Sequence, residues 1–266
     1  VSDYLSDIGD NLKQLRDIKG KDNWSKVRTV DDNYELVINK FSFGERKCFR
    51  RIDQKIYEGL QASRGIGVLS LDDNDVHNNI EKVKNDCVSL GEINELRVNE
   101  LLNIEESNQF ISFGGKLAEL GFRVPQILKY FKDTKGFEVV GYDVVDINIL
   151  IGKCLGYDVR KYDFNSCEEE LGLGNIGIVV SYHMLEHLTN PLIAVKKVYD
   201  SMDSGSYFHV EVPIEPGVPR IRYGHMFAFE GKDLYHMLVE SGFDVLFVSN
   251  RTHTGGPYVE RYLAKK

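Results

Sequence analysis

The chain lacks paired cysteine spacings, long apolar runs and a surplus of positive charge, and each absence narrows what it can be. Its four cysteines, Cys48, Cys87, Cys154 and Cys167, are scattered with no C-x-x-C among them, so a disulfide framework is not expected. A reducing, cytoplasmic setting follows. No apolar stretch reaches the length of a transmembrane helix, and no signal-peptide pattern opens the chain. The formal net charge of −8 disfavours broad attraction to nucleic acid or an anionic membrane. Internal repeats, low-complexity segments and the dinucleotide fingerprint G-x-G-x-x-G are missing as well. The sequence opens Val1-Ser2 without an initiator methionine, as expected of a trimmed chain or of one domain of a longer protein. What is present is the composition of a soluble globular protein, 42% hydrophobic and 28% charged. Its 266 residues suffice for one large domain or a core domain with an extension.

Residues 1–105 differ in texture from the rest. Tyr4, Leu5, Ile8, Leu12 and Leu15 recur at helical spacing until Gly20-Lys21-Asp22-Asn23 breaks the pattern. Tyr34–Phe41 fits a strand or a short helix. A helix is expected from Gly44 to about Ala62, and another from about Asn74 to Leu102, with Gly91 placed to divide it. The segment reads as a mainly helical amino-terminal extension. It has three open uses: to cap a ligand cleft, to form a homo-oligomer contact, or to pack against a sheet.

From residue 106 to 266 the pattern alternates strand and helix. Phe110–Phe113 is a strand candidate followed by Gly114-Gly115, and a helix opens at Val124-Pro125 and runs through Phe131. Phe137–Tyr142 is a strand closed by Asp143, Ile147–Leu155 a helix, and Tyr157–Phe164 contains a strand ending near Asp163. A buried strand over Ile176–Ser181, a helix from Pro191 to Met202 and a strand over Tyr207–Val212 follow. After the loop Val212–Pro219 come a helix over Lys232–Ser241 and two strands, Phe243–Val248 and Tyr258–Leu263, suited to an antiparallel hairpin. This alternation predicts an α/β domain with a largely parallel sheet covered by helices.

The chain turns on Gly177–Pro191, where a β-branched apolar run delivers Ser181-Tyr182-His183 to a strand end. In open parallel sheets the carboxyl edge is where ligands sit. As a bare string, His183-Met184-Leu185-Glu186-His187 fits H-x-x-E-H, in which two histidines on one helix face ligate zinc and the glutamate acts as base. The strand before it and Pro191 after it leave little more than one turn for that helix. A zinc-dependent hydrolase and a non-catalytic scaffold remain the competing classes.

The same segment, Val179–Pro191, resembles the post-strand-four turn of class I S-adenosylmethionine-dependent methyltransferases, and the order of elements from about residue 108 extends the resemblance. It implies a Rossmann-like, seven-stranded, mostly parallel sheet and S-adenosyl-L-methionine as cofactor, with no metal required. The family's first loop has an acid and then G-x-G-x-G; glycines there let backbone approach the ligand. Gly114-Gly115 is similar to that loop but divergent, with Ser112 where the acid is expected, Lys116 in place of the second glycine, and Glu119 a candidate replacement acid. Asp143, with Val144 beside it, is implied to accept ribose hydroxyls; its other reading is a helix cap. Asp163 and Phe164 are implied to meet the adenine, and Ser181 and Tyr182 to line the cofactor.

Methyl transfer asks the protein to align an acceptor and remove its proton, and for a hydroxyl a histidine is the natural base. The candidates are His183, His187 and His225, each with a structural reading beside the catalytic one. His225 lies in Tyr223–Phe229, which resembles a loop of sugar and small-molecule O-methyltransferases. The acceptor implied is a small molecule such as a sugar, glycan intermediate or nucleotide-sugar, with Arg220 and Arg222 available to a phosphate. His209 alternates with apolar neighbours and reads as packing; Glu211 shares its strand face.

Overall fold

The computed structural model describes residues 24–29, 34–51, 73–104, 115–165, 170–215, 224–252 and 258–266. The helix expected over residues 4–15, the strand candidate at 110–113, Gly114, Arg220 and Arg222 lie outside the described residues.

The amino-terminal part departs from expectation. Strands β1 (Trp24–Thr29), β2 (Tyr34–Phe41) and β3 (Gly44–Arg51) form an antiparallel three-stranded sheet in that order. The helix expected from Gly44 is therefore a strand over Gly44–Arg51. Glu45-Arg46-Lys47 suits a helix locally, but Gly44 at φ +128 reverses the chain and sets β3 against β2, Phe41 opposite Gly44 and Val37 opposite Cys48. Tertiary pairing overrides propensity here. Val37 and Cys48 are fully buried in the main core. Arg46 reaches across to Asp233 through Nε (2.7 Å) and Nη2 (2.5 Å). Helices α1 (Asp73–Asp86) and α2 (Glu92–Asn103) follow, divided just ahead of Gly91.

The second sheet has seven strands: β4 (Lys116–Leu120), β5 (Glu138–Asp143), β6 (Asp158–Lys161), β7 (Ile178–Tyr182), β8 (Tyr207–Pro213), β9 (Asp244–Thr252) and β10 (Tyr258–Lys265). Their order is β6-β5-β4-β7-β8-β10-β9. The first five are parallel, and β10 runs antiparallel to both β8 and β9, completing the expected hairpin. Helices α3 (Gln126–Lys135), α4 (Asp146–Cys154), α5 (Pro191–Ser201) and α6 (Asp233–Ser241) cover the faces. Along β7 every residue is buried, with Val179 packed on one face and Ile178, Val180 and Tyr182 on the other. Such a run is what a strand covered on both faces requires. No helix among the described residues is long and apolar enough to cross a membrane.

Among the described residues the first strand of this sheet begins at Lys116, so Gly115 directly precedes a strand. Its carbonyl accepts the Glu138 amide (2.9 Å) at the amino edge of the sheet. Lys116 and Glu119 disguise Lys116–Leu120 as a loop, while Leu117, Ala118 and Leu120 are fully buried. From β4 the chain winds outward to β5 and β6, then returns on the other side with β7. The switch point lies over the carboxyl ends of β4 and β7, where a parallel sheet opens a crevice.

Gly141 in β5 sits under Phe122 and Leu128: a Cβ there would lie 2.7 Å from Phe122 Cδ1 and 2.9 Å from Leu128 Cδ1. Gly141→Ala is expected to destabilise the fold by about 1–3 kcal/mol through overpacking. Urea denaturation of the two proteins measures it, and equal midpoints would show that these side chains yield freely.

Candidate active site

A cleft of about 980 Å³ lies over the switch point. Its floor comes from the turns after β4, β5, β6 and β7, and α2 and the loop carrying His225 supply walls. Parallel register brings the strand ends level, with Leu120 beside both Tyr142 and Ser181, and Tyr182 beside Glu211.

One half of the cleft is built from carboxylates. Glu119 on β4 is 6% exposed, and its Oε2 is buried with no hydrogen-bond partner. Burial, opposed by the charge of Arg97 and a backbone hydrogen bond at Leu128, raises its carboxyl to about 8. Two residues on, Gly121 takes φ +76, and a Cβ there would lie 2.8 Å from Met184 Cγ. Glu119-Leu120-Gly121 is thus the acid-x-glycine turn after the first strand, with Arg123 in the place of a second glycine at φ 41. Asp143 closes β5. Its Oδ1 accepts the Val145 amide (2.9 Å), and its Oδ2 accepts the Arg123 amide (3.0 Å) and Asn148 Nδ2 (3.2 Å). Burial nevertheless pushes its pKa up. Asp143 pins two turns of the cleft, and a carboxylate has lone pairs for further donors. Asp163 Oδ1 accepts the Asn165 amide (3.0 Å), a turn contact, and Phe164 packs edge-on to Tyr162 at 4.7 Å.

The other half is the turn after β7. His183 adopts φ 54, a left-handed conformation that costs a side-chain-bearing residue roughly 1–2 kcal/mol. It is held by the Glu211 carbonyl, which accepts its amide (3.1 Å), and by carboxylates on both ring nitrogens. Nδ1 meets Glu186 Oε1 at 3.1 Å and Nε2 meets Glu211 Oε1 at 3.1 Å. Burial alone would lower the His183 pKa, but the hydrogen bonds to Glu186 and Glu211 carry it to about 9, so the ring is cationic at neutral pH. In turn, burial of Glu186 is outweighed by the hydrogen bond and charge of His183, which hold its carboxyl at about 2.

Glu211 is the hub. Arg97 donates to its Oε1 through Nε (3.0 Å) and Nη2, and Arg261 donates to its Oε2 through Nε (2.8 Å) and Nη2. Arg261 also reaches Glu100 of α2 (3.0 Å), and the Arg97 guanidinium lies 4.7 Å over the Tyr182 ring. Despite burial, the hydrogen bond from His183 and then the charges of Arg97 and Arg261 keep the Glu211 carboxyl far below its usual range.

Only Leu185–His187 forms a helical turn, of 3₁₀ type, so the helix that the H-x-x-E-H zinc reading needs does not form. His183 faces Glu211 while His187 Nδ1 meets the Gly224 carbonyl (2.9 Å). The late loop is stitched to this turn, because the Glu186 carbonyl accepts the amides of Met226 (2.7 Å) and Phe227 (3.0 Å). His225 Nδ1 lies 2.6 Å from Glu215 Oε2, and its ring stands 5.1 Å from that of His187 at 77°. One donor atom from each of Glu186, His187 and His225 falls within 4.8 Å of the other two.

The cleft therefore gathers Glu119, Asp143, Val144, Asp163, Phe164, Tyr182, His183, His187 and His225. It does not include Gly115, which lies at the opposite sheet edge, or Ser181, which is fully buried with its hydroxyl 3.4 Å from the Leu120 carbonyl. His209 packs as expected, bound to the Tyr182 hydroxyl at 2.7 Å, and burial lowers its pKa to about 3. Sequence reasoning missed Gly121 and Arg97. An acid two residues ahead of a glycine was a usable signal for Gly121, whereas Arg97 carries none.

A family model described as a methyltransferase domain matches residues 92–248, more than half of the chain. It begins within the segment assigned above to the extension, at the start of α2. No curated protein matches the chain. Among solved structures, the (4+2)-cyclase SpnF aligns at 12% identity and TM-score 0.49, over 60% of this chain and 80% of its own. An S-adenosylmethionine-dependent methyltransferase from Mesorhizobium loti aligns at 14% and 0.48, over 62% and 100%. A methyltransferase of the same cofactor class from Archaeoglobus fulgidus aligns at 18% and 0.47, over 64% and 94%.

Glu119 generates a prediction. Its carboxyl titrates near 4.5 when unfolded and near 8 when folded, so between these values the folded state keeps a proton that the unfolded chain has lost. The stabilisation linked to that proton is complete below about 4.5 and is lost as pH rises toward 8, at up to about 1.4 kcal/mol per pH unit. Chemical denaturation of the cofactor-free protein across this window should show the decline, and Glu119→Gln should flatten it. An unchanged slope in the variant would place the titration elsewhere.

Proposed function

The chain belongs to the methyltransferase-domain family, and from that premise we propose methyl transfer from S-adenosylmethionine to a hydroxyl of a small molecule, with a sugar or nucleotide-linked sugar as acceptor. Bound in the cleft, the cofactor supplies a methyl group already made electrophilic by its sulfonium. The residues present fit it: a buried glutamate oxygen without a donor, a tight glycine turn and a carboxylate at the second strand end suit a ligand bearing cations and hydroxyls. Glu119, Gly121, Asp143, Val144, Asp163 and Phe164 hold the cofactor on this reading, and Tyr182 closes the cleft between the two halves.

The observation that carries the choice of a hydroxyl is the convergence of Glu186, His187 and His225 on one wall. A hydroxyl must lose its proton as the new bond forms, and this group receives or displaces it. His183, already cationic between two carboxylates, does not take that proton; it fixes their charge and the shape of the turn. His225 is aimed by Glu215, as a positioned imidazole must be. The sugar class is favoured by the resemblance of Tyr223–Phe229 to loops of sugar-modifying relatives.

Calorimetry should show S-adenosylhomocysteine binding to the intact protein, weakened by roughly 1–3 kcal/mol in Asp143→Asn through loss of charge-assisted hydrogen bonds. Failure of the unaltered protein to bind would sink the cofactor reading. With an acceptor found by screening sugars and nucleotide-sugars, His225→Ala should lower turnover about 10²–10⁴-fold while cofactor affinity holds. Full turnover in that variant would remove the imidazole wall from the chemistry.

A further inference from the structure

We propose that Glu186, His187 and His225 bind a divalent first-row transition cation, of the manganese, cobalt, iron or zinc kind, whose open positions take oxygens of the acceptor. The use of the ion in catalysis rests on the hydroxyl-acceptor reading; its binding does not. The three residues come from two segments that the Glu186 carbonyl ties together through the amides of Met226 and Phe227, so their spacing is built into the fold. Their donor atoms lie within 4.8 Å of one another. Metal bonds of about 2.1 Å would draw them to within roughly 3–4 Å, a change that side-chain torsions supply.

Glu186 is the independent pointer. The residue is 1% exposed, and while Oε1 meets His183, Oε2 is buried with no hydrogen-bond partner. A buried carboxylate oxygen left without a donor is costly, and a cation beside it removes the cost. The imidazoles are oriented to match. His187 Nδ1 faces the Gly224 carbonyl and His225 Nδ1 faces the Glu215 carboxylate, both acceptors, so each Nδ1 carries a proton and Nε2 is the ring atom suited to a metal. Anchoring one ring nitrogen to a carbonyl or carboxylate is how proteins prepare the other for a metal. Two imidazoles with one carboxylate favour first-row transition ions over magnesium or calcium, which prefer all-oxygen sites. Three protein ligands also leave positions for an acceptor with two neighbouring oxygens.

The chemistry balances without a further reactant. An acceptor hydroxyl polarised by the cation gives its proton to solvent, and the oxygen lone pair forms the carbon–oxygen bond as the carbon–sulfur bond breaks. The sulfonium leaves as a neutral thioether. His225 then serves as a ligand, and the task given above to the three-residue group is carried by the ion.

The test uses the full chain stripped with chelator, titrated with Mn²⁺ by electron paramagnetic resonance and with Co²⁺ by visible absorption, with S-adenosylhomocysteine binding measured on the same samples. The expected result is one ion per chain and nitrogen-ligated Co²⁺ bands. Ion affinity should fall about 100-fold in both Glu186→Gln and His225→Ala, with S-adenosylhomocysteine affinity preserved. His236→Ala, in an imidazole stacked on Phe43 away from the cleft, should bind the ion as the parent does. A parent that binds S-adenosylhomocysteine but no ion at millimolar Mn²⁺ overturns the metal site and spares the cofactor reading. Ion binding undiminished in both variants overturns it too. Ion binding lost in both variants of a chain that never takes S-adenosylhomocysteine supports the site and removes the methyl-transfer reading.

Discussion

The buried carboxylate of Glu211 is the constraint on which the cleft depends. Its side chain has no solvent exposure, and it is held by Arg97 from α2, Arg261 from β10 and His183 from the turn after β7. A buried charge is tolerable only when its partners are fully in place, and removing one partner typically costs about 3–5 kcal/mol. That penalty acts as a geometric rule. Helix α2 must lie where Arg97 reaches β8, and the turn must carry His183 at its unfavourable φ so that Nε2 faces the same carboxylate. Glu100 extends the rule by engaging Arg261 from a second position on α2. The wall and the floor of the cleft are thereby locked to each other by charge as well as by apolar contact.

The two halves of the cleft are electrically distinct. Glu119 is driven by burial toward a protonated carboxyl near 8, while the cation of His183 holds Glu186 near 2. Two glutamates of one cleft are thus pushed in opposite directions by their surroundings, an arrangement that divides labour between carboxyl groups. Each keeps one buried oxygen without a hydrogen-bond partner, but the first is neutral-prone and the second is held ionised beside His183, so the ligands each would welcome differ.

The parallel core was readable from the sequence because buried strands leave continuous β-branched runs, as in Ile178–Tyr182, and because Asp143 and Pro191 mark an end and a start. Strand β4 was not, since Lys116 and the buried Glu119 interrupt its apolar pattern. A buried acid in a strand is invisible to periodicity, and this one lines the cleft. The amino-terminal sheet was hidden for another reason. Its third strand is rich in charged, helix-prone residues and is fixed by partners distant in sequence, Phe227 and Asp233. The clamp of Arg97 and Arg261 on Glu211 joins residues 114 and 50 positions apart, beyond the reach of any local rule. His183, His187 and His225 stood out by residue type, but their division into a charge holder and a convergent pair came only with the carboxylates around them.

Cys48 of β3 forms an isolated antiparallel bridge with Phe227, two residues past His225, and Phe41 meets the Phe227 ring edge-on at 5.7 Å. The loop carrying His225 is therefore braced by a sheet that precedes the matched family region, whereas the carboxylate half is made wholly within it. The consequence is one of inheritance. Substitutions in β1–β3 reach the wall carrying His225 through Phe227 without passing through the carboxylate half of the cleft. Across descendants of such a chain, the shape of that wall is free to drift with the amino-terminal sheet while the carboxylate half stays fixed.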